Sequence, residues 1–153
     1  MKNGELHTLI DLLERSCLKF PENAYLWEKR EGGYRSVTYR QTRREVGDVA
    51  AGLLAGGLQK GDRVALLSEG CNDWVFAELG ILYAGGVNVP LSIKLTDKEL
   101  IFRVRHSGAR FLIVSDYYVA TLRRIEAELP EIEKIYVIRY SSAEEGKYNS
   151  FER

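Results

Sequence analysis

Residues 83–91 read YAGGVNVPL, with two adjacent glycines, a proline and no charge. A phosphate-cradling loop exposes backbone N–H groups at the start of a helix, usually after a strand. Here the order is reversed. Gly85-Gly86 trail a helical segment (72–85) and precede a short β-branched run, VNVPL (87–91). A glycine just past a helix supplies the left-handed conformation of a C-cap. Pro90 sits near the strand's end, where a missing N–H is tolerated. YAGGVNVPL is therefore read as an α-to-β turn, and the cluster Gly52, Gly56, Gly57 and Gly61, which also trails a helix, is read the same way.

Working outward, RVALLS (63–68), VNVPL (87–91), FLIVS (111–115) and IYVI (135–138) are short apolar runs. Their first apolar members, Val64, Val87, Phe111 and Ile135, lie 23, 24 and 24 residues apart, room for one strand, one helix and two tight turns. Continuous apolar runs, as opposed to alternating ones, predict strands covered on both faces. The helices between them are expected at 72–85, 96–107 and 116–129, with a capping box at Thr96 and Glu99 and an N-cap at Ser115-Asp116. The result is a βαβαβαβ core over 63–139, an α/β fold whose economical form is a doubly wound, mostly parallel sheet with flanking helices. Before it, 8–62 holds a helix (Thr8 to Phe20), a hairpin of AYLWEKR (24–30) and YRSVT (34–38), and a helix opened by the Thr38/Gln41 capping box. That helix presents Val46, Val49, Ala50, Leu53 and Leu54 on one face, and Arg40, Arg43, Arg44 and Asp48 on a solvated one. Residues 140–153 are read as a polar tail, and 1–153 as a single α/β domain.

Composition excludes several function classes. The chain has 153 residues, 45% hydrophobic and 29% charged, with 22 basic and 22 acidic residues. A nucleic-acid binder shows a basic excess, and none is present. Cys17 and Cys71 have no second cysteine near them, and His7 and His106 are far from both, so no zinc spacing exists. Free thiols in a reducing compartment are the expectation. The opening MKNGELHTLIDLLERS carries Asp11, Glu14 and Arg15 where a secretory signal needs an apolar core. The longest apolar stretch, Trp74 to Leu91, is interrupted by Glu78, Gly85-Gly86, Asn88 and Pro90, so no transmembrane segment is expected. A cytoplasmic location follows as an expectation.

Open α/β sheets bind ligands at the carboxyl ends of their strands. Those turns are Ser68-Glu69-Gly70-Cys71-Asn72-Asp73, Ser92-Ile93-Lys94-Leu95 and Ser115-Asp116-Tyr117. Asn72 and Ser115 can donate to a ligand, but capping duty is the expected role. Glu69, Asp73 and Asp116 can be imagined around magnesium, yet acids in the first turn of a helix favour its dipole without any metal. Lys94 is expected to be solvated, and His106 to serve the dipole at a helix end. No serine-centred elbow, HExxH or GxGxxG occurs. The reading assigns no catalytic, cofactor-binding or metal residue.

Nearly the whole chain (8–140) nevertheless resembles one family. SVTYRQTRREVGDVAAGLLAGGLQKGDRVALLSEGCNDWVFAELGILYAGGVNVPLSIKLTDKEL (36–100), followed by HSGARFLIVSD (106–116), is similar to the N-terminal portion of AMP-forming acyl-CoA synthetases, the adenylate-forming superfamily. Its wording looks closest to the long-chain fatty acid CoA ligases. The resemblance implies a parent enzyme that joins ATP and a fatty acid into an acyl-adenylate with release of pyrophosphate. Coenzyme A then displaces AMP to give the thioester, and magnesium neutralises phosphate charge. The family's Ser/Thr/Gly-rich phosphate loop ending in Pro-Lys-Gly, its aromatic-Gly-x-Thr-Glu motif, its ribose-binding Asp and its catalytic Lys are not in these residues. No family catalytic residue is carried onto any position here. Smaller departures are Gly86, where the family often has alanine, and SIKLT (92–96), where it often has a proline.

The expectation is a front portion of a ligase, cut short by truncation or proteolysis, inactive alone and binding neither ATP, magnesium nor coenzyme A tightly. Surfaces laid bare by truncation would allow homo-oligomers, and the parent would be cytoplasmic or peripheral to a membrane. Two alternatives stand beside it: a free-standing, non-catalytic binding or receiver-like module, and the front of an aryl or peptide-synthetase adenylating enzyme.

Overall fold

Neighbouring residues along each buried strand point into different cores, which is what the unbroken apolar runs require. The computed structural model describes residues 6–139 and 148–151. Strands β3 (Arg63–Leu67), β4 (Val87–Pro90), β5 (Phe111–Ser115), β6 (Lys134–Ile138) and β7 (Asn149–Ser150) form one parallel sheet in the order β4-β3-β5-β6-β7. Val64, Leu66, Phe111, Ile113 and Ile138 face one core, while Ala65, Leu67, Leu112, Val114 and Val137 face the other. The first core is closed by α2 (Tyr39–Ala55) and α3 (Asn72–Tyr83), through Leu53, Ala77 and Ile81. The second is closed by α4 (Asp97–Ser107) and α5 (Val119–Ile125), through Leu100, Val104, Leu122 and Ile125. Each fully buried aliphatic side chain contributes about 1.5–3 kcal/mol, so this two-sided burial is the main force holding the sheet.

The turn at 83–91 is as read from the sequence. Gly86 N–H donates to the Ile81 carbonyl (2.9 Å) and Gly85 N–H to Leu82 (3.0 Å), the paired bonds of a Schellman cap, with Gly85 at φ +81°. Another glycine is required by packing. A Cβ on Gly80 would lie 2.4 Å from Val49 Cγ1 and 2.7 Å from its Cβ, so α2 and α3 approach only because that hydrogen stands there. Among the described residues the following strand, β4, is an edge of the sheet. The N–H groups of Val87 and Leu91 bond back toward β3, to Asp62 and Leu66. By alternation, positions 88 and 90 aim their backbone outward, and Pro90 has no N–H to offer.

Before the sheet come α1 (Leu9–Lys19) and the antiparallel hairpin β1 (Ala24–Arg30) and β2 (Gly33–Thr38). The capping boxes at Thr38/Gln41 and Thr96/Glu99 are formed, and a third, Thr8/Asp11, opens α1. Arg43, expected on a solvated face, grips both oxygens of Glu14 at 2.9 and 2.8 Å and ties α2 to α1. Leu54, expected on the apolar face, is 51% exposed, and Thr42 takes the inner position instead. The cause is the helix angle, because 42, 46, 50 and 53 share one stripe and 54 falls a full residue beyond it.

The expected helix over 116–129 is broken into a 3-10 turn (Asp116–Tyr118), α5 and a second 3-10 turn (Glu126–Glu128). Within the stretch read as a polar tail, Asn149 and Ser150 pair in parallel with β6, while Tyr148 and Phe151 pack against opposite cores. Apolar side chains on both faces of two strand residues account for that pairing. Residues 140–147 and 152–153 of that stretch lie outside the described residues.

Candidate functional site

The strand order sets where a ligand crevice belongs. From β3 the chain moves to β4 on one side, then crosses to β5 on the other, so the sheet's switch point lies between the carboxyl ends of β3 and β5. The residues there are Ser68 and Glu69 after β3, Ser115 at the end of β5, and Asp116 after it. Ser115, 1% exposed, does not cap the following turn. Its hydroxyl donates to Glu69 Oε2 at 2.5 Å. Ser68 Oγ donates to the Glu69 carbonyl at 3.0 Å and lies 3.8 Å from Cys71 Sγ. Tyr118 stands near, its phenol pushed up by burial first and by the Glu69 charge second. The crevice is thus bridged by its own side chains, which join the β3–α3 and β5–α5 loops.

The acids imagined around a metal are not brought together. Asp73 accepts from Arg139 Nε at 2.8 Å, and Asp116 is exposed in the 3-10 turn. Among the described residues no group of three His, Cys, Asp or Glu side chains is gathered as a metal would need. Lys94 is exposed, and its N–H donates to Ser92 Oγ at 3.2 Å. His106 lies in the last turn of α4, stacked on Phe102 with ring centres 5.4 Å apart. His7 N–H donates to Asp11 Oδ2 at 3.1 Å. Cys17 is buried, with its thiol donating to the Tyr39 carbonyl (3.3 Å) and pushed up by burial, then by Glu14. Cys71 is half-buried at the N-cap of α3, where no side chain bonds the cap; Asn72 follows it as the first helical residue, almost fully buried.

What the sequence reading missed is an ionic cluster beside this crevice. Arg139, directly after β6, donates to Asp73 at the start of α3 and through Nη2 to Glu28 Oε1 of β1 at 2.6 Å. Arg30 adds contacts of 3.1 Å to Glu28 and 3.9 Å to Asp73. Burial pushes the Glu28 carboxyl up, but the Arg139 hydrogen bond with the Arg139 and Arg30 charges outweighs it and holds the group below its ordinary value. Arg139 loses by burial, yet Glu28 and then Asp73 hold it firmly charged. No local signal announces a cluster whose members lie 66 and 111 positions apart.

A groove of about 580 Å³ lies between α2 and β6–β7, with Val49, Phe76, Tyr136 and Phe151 in its lining and Arg44 and Asp73 among its charged groups. Arg44 is paired with Glu45 at 3.0 Å. The Gly85–Gly86 turn closes a helix, Glu69 is engaged by Ser115 and Asp73 by Arg139, while Asp116 is exposed.

Comparison with known proteins gives the family. A family model described as "AMP-binding enzyme" matches residues 13–152. Crotonobetaine/carnitine–CoA ligase of Citrobacter koseri is 30% identical over 107 residues, 70% of this chain and 21% of that protein. A mitochondrial acyl-coenzyme A synthetase of Homo sapiens, ACSM2B, is 26% identical over 122 residues, 78% of this chain and 21% of its own. The chain thus spans about a fifth of the length of these relatives. Among solved structures, the anthranilate CoA ligase AuaEII in complex with anthranoyl-AMP superposes with a TM-score of 0.86 at 29% identity, over 97% of this chain and 28% of that one. A protein described as a long-chain-fatty-acid CoA ligase from Rhodopseudomonas palustris gives a TM-score of 0.82 at 24% identity, over 95% and 35%, a likeness of fold. The match sets aside the receiver-like alternative, and the chain belongs to the AMP-binding enzyme family, whose relatives here are acyl-CoA ligases.

Proposed function

We propose that this chain is the front portion of an AMP-forming acid–thiol ligase that turns a long-chain fatty acid, ATP and coenzyme A into acyl-CoA, AMP and pyrophosphate. The observation that carries the reading is the family match over 13–152. The long-chain substrate is supported by the wording of residues 69–91, SEGCNDWVFAELGILYAGGVNVPL with its preceding serine. Within the complete enzyme, magnesium would neutralise phosphate charge during adenylation. The residues described here act earlier than any bond change: they fold the sheet and set its carboxyl edge. Alone, the chain carries no adenylating group and binds none of the three cofactors tightly. Its setting is cytoplasmic, in keeping with its two free thiols, Cys17 and Cys71.

The purified 153-residue chain, given ATP, magnesium and palmitate, should release no pyrophosphate above background. Release would overturn the inactive-portion reading. Reading the source gene past the Arg153 codon tests the parentage: an in-frame Ser/Thr/Gly-rich loop ending in Pro-Lys-Gly is expected. A second reading, an aryl or other short carboxylic acid as substrate, is favoured by the 0.86 TM-score to the anthranilate ligase. Acyl profiling of the complete enzyme on palmitate, benzoate and anthranilate separates the two.

A further inference from the structure

Among the described residues, Arg139 is the one non-glycine at positive φ, 59°. A side chain in that conformation is strained, and glycine or asparagine would sit there more easily. The strained backbone aims the guanidinium at Glu28 and Asp73. The hairpin it reaches has little else to hold its outer half. No residue of β1 or β2 is fully buried, and Trp27 and Tyr34 are 62% and 70% exposed. Its base, by contrast, is fixed. Tyr25 stacks on Tyr39 at 4.5 Å, and Tyr39 N–H donates to the Asn23 carbonyl at 3.1 Å. Between the hairpin's outer half and the start of α3 lies a space of about 590 Å³, bordered by Glu28, Arg30, Ser36 and Val37 on one side and Asn72 on the other. Cys71, the N-cap residue of α3, directly precedes Asn72.

We propose that the hairpin is a flap, hinged at Tyr25–Tyr39 and latched by Arg139 over the carboxyl edge of the sheet, so that breaking the Glu28–Arg139–Asp73 cluster opens the space above Asn72 and Cys71. The latch is ionic and partly exposed, so it opens locally while the two cores stay folded. This goes beyond the ligase reading and does not depend on it.

Amide hydrogen exchange and thiol trapping of Cys71 test it on the 153-residue chain. In Arg139→Gln, amides of 25–30 and 34–37 should exchange at least tenfold faster and Cys71 should react with a small disulfide reagent at least tenfold faster. Amides of 63–67 and 111–115 and the buried Cys17 should be unchanged. Equal acceleration of hairpin and core, or no change in the hairpin, overturns the flap. Glu28→Gln breaks the latch from the other side and is read by the same criteria if Arg139→Gln does not fold.

Discussion

The two ends of the sheet are each dressed with an arginine between two carboxylates, but they differ in reach. At the amino ends, Arg110 donates to both oxygens of Glu133 at 2.8 and 2.7 Å and pairs with Asp62. Asp62, Arg110 and Glu133 immediately precede β3, β5 and β6, three neighbouring strands. At the carboxyl ends, Arg139 instead joins the sheet to a helix and to the hairpin. The amino-edge cluster fastens strands that burial already holds together. The carboxyl-edge cluster fastens a part that burial does not hold, and it does so at the end where such sheets meet ligands. Similar chemistry serves register in one place and conformation in the other.

The sharpest reference for this contrast is a lesion that spares neither edge. Gly80→Val drives a branched side chain into Val49 and should cost about 3 kcal/mol by overpacking, read as a fall in urea midpoint with hairpin and core loosening together. Arg139→Ala should cost about 2 kcal/mol, because it leaves two poorly exposed carboxylates with the more exposed Arg30 as their counter-ion. Arg139→Gly, which removes the same ion pairs but accepts φ 59°, should recover about 1 kcal/mol of that loss. If alanine and glycine melt alike, the backbone there is not strained.

Acid titration sharpens the same comparison. Glu28 is held below its ordinary value of 4.5 in the folded protein, so its contribution is complete above that pH and is lost as the pH falls through the folded value. Thermal melts from pH 7 to 3 should therefore fall less steeply for Glu28→Gln than for the native chain. Glu133 is also held low, by its Arg110 hydrogen bond, but it is more exposed than Glu28, so Glu133→Gln should flatten the acid limb less. The smallest effect belongs to Arg110→Ala, a shift in melting temperature below that of Arg139→Ala and reduced in about 0.5 M salt, because its Glu133 partner is exposed and burial already holds the strands it joins. An Arg110 effect as large as that of Arg139, surviving salt, would erase the distinction between the edges.

What local chemistry encodes was legible in the sequence. Four of the strands, the hairpin, two capping boxes and the glycine turn are each signalled within a few residues, by apolar runs, Thr-x-x-Gln/Glu spacing and Gly-Gly placement. The Thr8/Asp11 box escaped because aspartate is not the usual partner at that position. Ser115 carried a capping signal that lost to a tertiary one, the Glu69 carboxylate arriving from another strand's end. Arg139 could not have been found at all: an arginine is not expected in a left-handed position, and its partners come from distant parts of the chain.

The proline at the edge of β4 bears on crowding among copies. An unpaired strand invites its twin, and a parallel sheet can in principle lengthen molecule by molecule. Along 87–90 the outward backbone offers a single donor, Asn88 N–H, since Pro90 has none. Fibre-like growth through that border is short of hydrogen-bond donors from its first step, and the shortage comes from one ring.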